Sequence, residues 1–200
     1  MKKEAQQIVQ EVFYNMSKMY ESIFTSYYPS HGSNGFTERN ITFYFSHFYL
    51  KNANNLSDII IWQEVPIKGG EHFDTMIIDT VNEMIFIIEA KRLQNKGKFE
   101  SIKDDFEKII QKNNQIKIPY DFTIFDKYAI LLTDIWVPEN NNMKITLQKD
   151  FSNIFIDNYL KEPVGIGRIE IENIKKIHSA EEYWLMYNLY ELEINSNKCP

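Results

Sequence analysis

His72-Phe-Asp-Thr-Met-Ile-Ile-Asp-Thr-Val-Asn-Glu-Met-Ile-Phe-Ile-Ile-Glu-Ala-Lys-Arg92 holds two apolar runs separated by a short polar connection. Strand side chains alternate between faces with a period of two. Over Met84 to Lys91, the residues Ile85, Ile87, Glu89 and Lys91 share one face, and Met84, Phe86, Ile88 and Ala90 share the other. Both faces are apolar until the strand's end, which predicts a central strand covered on both sides. Glu89 and Lys91 then emerge together from the end of a buried strand. Opposite charges there are costly unless paired, metal-bound or open to a cleft.

The polar connection Thr80-Val81-Asn82-Glu83 makes the two runs a hairpin. With the turn centred near Val81, Asp74 falls opposite residue 88 or 89, so its carboxylate lies beside that of Glu89. Neighbouring carboxylates repel, and a divalent cation relieves the repulsion. Lys91 reaches the same point, where a cation suits orienting a water or stabilising developing charge. Asp79 lies on the opposite face and near the turn, so it is expected to be a turn residue.

Outward from this hairpin, apolar spacings of three and four predict helices over 3–28 (Val9, Phe13, Met16, Tyr20, Ile23, Tyr27) and from Thr37 to Leu50, with Thr37 as N-cap. Pro29, Gly32 and Gly35 break the chain between them. Asp58 to Ile67 is a further strand, set off by Gly69-Gly70. A helix is expected over Phe99 to Gln111 and a buried strand over Tyr128 to Val137, ended by Pro138 and the Asn140–Asn142 run. Residues 143–163 suggest a strand and a short helix, and Gly165 to Ile174 another strand, with Gly165-Ile-Gly167 as a turn. Ser179 and Glu182 form a capping box that predicts a helix to Leu192.

The whole is read as one domain over 1–200: a helical extension (1–36), a core (37–137) and C-terminal strand and helix additions (138–200). The single cysteine, Cys199, allows neither an internal disulfide nor a cysteine-based zinc site. The N-terminus lacks the apolar stretch of a secretory signal, and no apolar run suffices to span a bilayer, so a cytoplasmic setting without membrane contact is expected. The net charge of -6 argues against a protein that coats nucleic acid nonspecifically. It does not exclude an enzyme acting on nucleic acid, because Lys91 to Lys117 holds eight Lys or Arg against four acids.

An Asp in one strand, followed by an apolar strand ending in Glu-x-Lys, resembles the PD-(D/E)xK nucleases. These include restriction endonucleases, Holliday-junction resolvases and several repair exonucleases. The resemblance implies an α/β fold with a restriction endonuclease-like αβββαβ core. That core is a central mixed sheet flanked by helices, here with extra N- and C-terminal helices. It matches the element order from Thr37 to Val137, about half of the chain. Asp74 stands for the family's first acid, Glu89 for the second and Lys91 for the lysine; Phe73 replaces the loosely kept Pro. Thr37-Glu38-Arg39-Asn40 is similar to the Glu-Arg helix start of the resolvase-like branch, which makes Glu38 a fourth catalytic candidate and Glu64 its rival. By this resemblance Asp74, Glu89 and the Ala90 carbonyl hold Mg²⁺ or Mn²⁺, with Glu38 or Glu64 adding a ligand. Apart from the resemblance, the basic run with Arg92, Lys96 and Lys98 could hold a phosphate backbone or be a merely solvated loop and helix, and Gln63 and His72 are further candidates for substrate contact, with a plain surface role the alternative for His72. The implied activity is metal-dependent phosphodiester hydrolysis, on DNA before RNA, with nucleic acid as partner and a homodimer also allowed. The alternative is a catalytically inactive protein of this fold that binds protein or nucleic acid.

Overall fold

The apolar stripe of the N-terminal segment forms α1 (Ala5–Ser26), which buries Val9, Val12, Phe13, Met16, Tyr20 and Phe24. Helix α2 (Glu38–Asn52) starts at the Thr37 N-cap, where Thr37 N–H donates to Asn40 Oδ1 at 2.8 Å. These coordinates are a computed structural model, which describes residues 4–26, 37–138, 142–151, 162–172 and 181–192. The Pro29, Gly32 and Gly35 break, Ser179 and Cys199 lie outside the described residues.

Three antiparallel strands follow: β1 (Ile59–Pro66), β2 (His72–Asp79) and β3 (Met84–Arg92). Helix α3 (Lys96–Lys112) then leads to β4 (Asp126–Pro138), which lies parallel to β3. Helix α4 (Asn142–Phe151), β5 (Gly165–Glu170) and β6 (Glu181–Leu192) complete the described chain. The six strands form one mixed sheet in the order β1-β2-β3-β4-β6-β5.

Strand alternation divides the core between the two faces. Met84, Phe86, Ile88 and Ala90 join α1 and α2 on one side, while Ile85 and Ile87 join α3 and α4 on the other. β3 is therefore the covered central strand that its two apolar faces predict, and the chain is an α/β fold with helices on both sides of a mixed sheet. Asp79 caps the β2–β3 turn as expected, accepting from Val81 N–H and Asn82 N–H at 3.1 and 2.9 Å. No helix among the described residues is long and apolar enough to cross a membrane.

Two expectations fail toward the C-terminus. The helix expected to run to Leu192 is strand β6, paired with β4 from Lys127↔Leu192 to Pro138↔Glu181. Its odd positions Tyr183, Leu185, Tyr187 and Leu189 pack toward α1, and Met186, Tyr190 and Leu192 toward α3. Both faces are covered, so aromatic strand preference and β4 pairing outweigh the apparent capping box. The short helix expected within 143–163 is α4, and residues 152–161 of that stretch lie outside the described residues. Gly165 and Gly167 lie inside β5 rather than in a turn. Gly167 is there because the Tyr187 ring lies across it: a Cβ at 167 would sit 1.9 Å from Tyr187 Cε1.

Candidate active site at the end of strand β3

Strands β1 and β2 pair through Gln63↔Thr75 and again at Val65↔Phe73, but the intervening Glu64 and Asp74 stay out of the ladder. Glu64 has a φ of 54°, a left-handed conformation uncommon outside glycine. The side-chain faces invert at this point. Ile61 and Ile77 pack toward α1 and α2, whereas Val65 and Phe73 pack toward α3. The β2–β3 ladder stops at Thr75↔Ile88. Beyond it, Ala90 N–H donates to Asp74 Oδ2 at 2.8 Å instead of to a backbone carbonyl. The break in the pleat thus turns the Asp74 carboxylate onto the edge of β3, next to Glu89.

Glu89 is only 2% exposed. Its Oε1 lies 2.6 Å from Nζ of Lys108, on α3. Lys91, on the same strand face, places Nζ 2.8 Å from Asp105 Oδ2, and Asp105 Oδ1 lies 3.4 Å from Lys108 Nζ. Residues three apart on a helix share a face. Asp105 and Lys108 therefore meet Lys91 and Glu89 as a crossed set of charges. Lys108 Nζ also donates to the His72 carbonyl at 3.1 Å and stands 5.5 Å from the Phe73 ring centre.

Burial pushes the Glu89 carboxyl up to about 9, with the Asp74 charge next in importance; the contact with Lys108 opposes both. Burial disfavours the charge on Lys91 and Lys108, yet their carboxylate neighbours raise both above the ordinary lysine value. The Lys108 contact thus only partly offsets the burial of Glu89 beside Asp74. Asp74, Glu89 and the Ala90 carbonyl are hard oxygen donors of the kind that Mg²⁺ takes. A strand residue's carbonyl and N–H point to the same side, so the Ala90 carbonyl lies on the Asp74 edge. This donor chemistry fits a divalent cation, although the Lys108 ammonium already contacts Glu89. Among the described residues, no group of three or more His, Cys, Asp or Glu comes together in a way that could hold a metal ion.

Glu38, at the start of α2, reaches the same end of β3. Its Oε1 accepts from Arg92 N–H at 3.3 Å and lies 3.6 Å from Lys98 Nζ. Glu64 is held on the rim by His72 (2.6 Å) and Arg39 (3.6 Å). Gln63 bridges α2 and β2, donating to Ser46 Oγ at 3.1 Å and accepting from Thr75 Oγ1 at 2.8 Å. Lys96 is exposed in the first turn of α3.

Arg92, expected at the substrate, is buried on the sheet face opposite Glu89. It is 6% exposed and binds Asp134 through Nε and Nη2, with Nη2 2.8 Å from Oδ2. Strand parity puts it on the α1 side, where the Tyr183 hydroxyl also donates to Asp134 at 2.6 Å. Lys108 and Asp105, by contrast, belong to the cluster without having been singled out. Their i,i+3 spacing was visible, but the strand residues facing that turn of α3 were not. Comparisons with known proteins return no match: no protein family, no curated protein and no solved structure.

Proposed function

We propose that this chain is a metal-dependent phosphodiesterase of the PD-(D/E)xK type, acting on DNA in preference to RNA. The observation that carries the reading is the Ala90 N–H to Asp74 bond of 2.8 Å, which brings the Asp74 carboxylate beside Glu89 two residues from Lys91. The order α2-β1-β2-β3-α3-β4, with β3 and β4 parallel, supports the restriction endonuclease-like core. Asp74, Glu89 and the Ala90 carbonyl would hold Mg²⁺ or Mn²⁺, and Glu38 stands near enough to the strand end to assist. When bound, such an ion activates water and neutralises charge developing at phosphorus. Lys91 orients the attacking water from the same strand face. Arg39, with its side chain 88% exposed, and Lys98, at 42%, give the rim cations for a phosphate backbone.

A second reading, a binding module without catalysis, is favoured by the Glu89–Lys108 and Lys91–Asp105 pairs, which engage the motif's charges within the protein. A cleavage assay on DNA with Mg²⁺ or Mn²⁺ separates the two. Wild type should cut, and Asp74→Ala and Lys91→Ala should each lose about 100-fold or more while keeping wild-type circular dichroism. Variants that cut like wild type would show the site to be misassigned. A folded wild type that binds DNA but never cuts it would establish the second reading.

A further inference from the structure

We infer that the Lys108 ammonium occupies the cation seat at Glu89, and that a divalent metal displaces it on binding. Lys108 thereby sets the metal affinity of the site. This rests on the metal-dependent reading above.

The contact of 2.6 Å places Nζ on Glu89 Oε1, on the carboxylate that would hold a metal. Glu89 is 2% exposed, so solvent screens the two cations poorly. An ammonium and a divalent ion held at one buried carboxylate would repel strongly, which favours displacement of the ammonium.

Lys108 has somewhere to go. Asp105 Oδ1 lies 3.4 Å from its Nζ and the His72 carbonyl 3.1 Å, both already in contact. The Phe73 ring, 5.5 Å away, offers its negative face to the same ammonium. A short swing toward Asp105 releases Glu89 while keeping Lys108 paired, which avoids the large penalty of an uncompensated buried charge. Lys91 stays beside the other oxygen of Asp105, 2.8 Å away, so the two lysines do not compete for one atom. The arrangement explains how a chain can bury Glu89 beside Asp74 and still fold before any metal arrives.

The test is Mn²⁺ titration of the full chain by calorimetry, with free Mn²⁺ followed independently by electron paramagnetic resonance. Lys108→Met should bind Mn²⁺ tighter than wild type by about tenfold or more, because a charge adjacent to the ligand is removed. Lys108→Arg, which keeps the charge, should bind as weakly as wild type. Lys108→Gln, which keeps polarity and most of the length, should follow the Met variant and serves if Met impairs folding. Equal affinity in wild type and both neutral variants, with Mn²⁺ binding still abolished by Glu89→Gln, would overturn the exchange alone. Absence of Mn²⁺ binding in wild type and every folded Lys108 variant would overturn the exchange and the metal-dependent reading together.

Discussion

Lys108 Nζ lies 2.6 Å from Glu89 Oε1 and joins helix α3 to the buried end of β3. Strand and helix are charge-matched here: acid then lysine along β3, acid then lysine along α3, crossed so that each lysine meets an acid of the other element. The match is incomplete, because Glu89 also has Asp74 as a neighbour and remains pushed up to about 9.

Glu89 gives the protein a definite pH dependence. Its carboxyl rises from the ordinary 4.5 to about 9 on folding, through burial first and Asp74 second. Between those values the native state holds a proton that the unfolded state has released. The group's contribution is therefore greatest below the unfolded value and is lost as pH rises toward about 9. Urea melts without metal should show wild type losing stability between pH 5 and pH 9 by more than Glu89→Gln does. Identical pH slopes for the two proteins would refute the assignment.

The Arg92–Asp134 pair is structural. Asp134 is fully buried and takes Arg92 and the Tyr183 hydroxyl. Asp134→Ala leaves a buried guanidinium unpaired and should cost about 3–5 kcal/mol. Arg92→Met with Asp134→Leu removes both charges and should recover much of that loss. Denaturant unfolding measures both, and a loss under about 1 kcal/mol in the single variant would contradict the account.

At Gly167, alanine would place a methyl 1.9 Å from the Tyr187 ring. Overpacking of this kind costs about 1–3 kcal/mol. Thermal unfolding should show the loss for Gly167→Ala and a partial recovery when Tyr187→Leu is added.

Lys98 lies on the rim, 3.6 Å from Glu38. If it meets a phosphate, Lys98→Ala should weaken DNA binding for all sequences alike and lower the slope of log affinity against log salt by about 1. Fluorescence anisotropy across a salt series reads both quantities, and an unchanged slope would remove Lys98 from the interface.

The hairpin was legible because two periodicities of two flank a polar connection, and the turn role of Asp79 was legible from its place beside that connection. Glu89 and Lys91 were legible together, since one strand face sets both. The position of Asp74 depends on something no alternation pattern records: the positive φ of Glu64 and the interruption of both ladders beside it. Parity also assigns Arg92 to the face opposite Glu89, a signal obscured by the surrounding basic run. Strand β6 was misread because Tyr183 to Leu192 is apolar on both strand faces, which leaves period two and period 3.6 hard to separate. Lys108 and Asp105 stayed hidden among the charges of α3, because their role comes from how the helix packs on β3 and not from the helix itself.

The central claim is that Asp74 and Glu89 form a seat for a hard divalent cation. Anomalous diffraction from crystals soaked in Mn²⁺ tests it most directly. The account predicts a Mn²⁺ peak between the two carboxylates and within ligand distance of the Ala90 carbonyl, with Lys108 turned to Asp105. A soaked crystal with no peak there, and Lys108 still against Glu89, would contradict it.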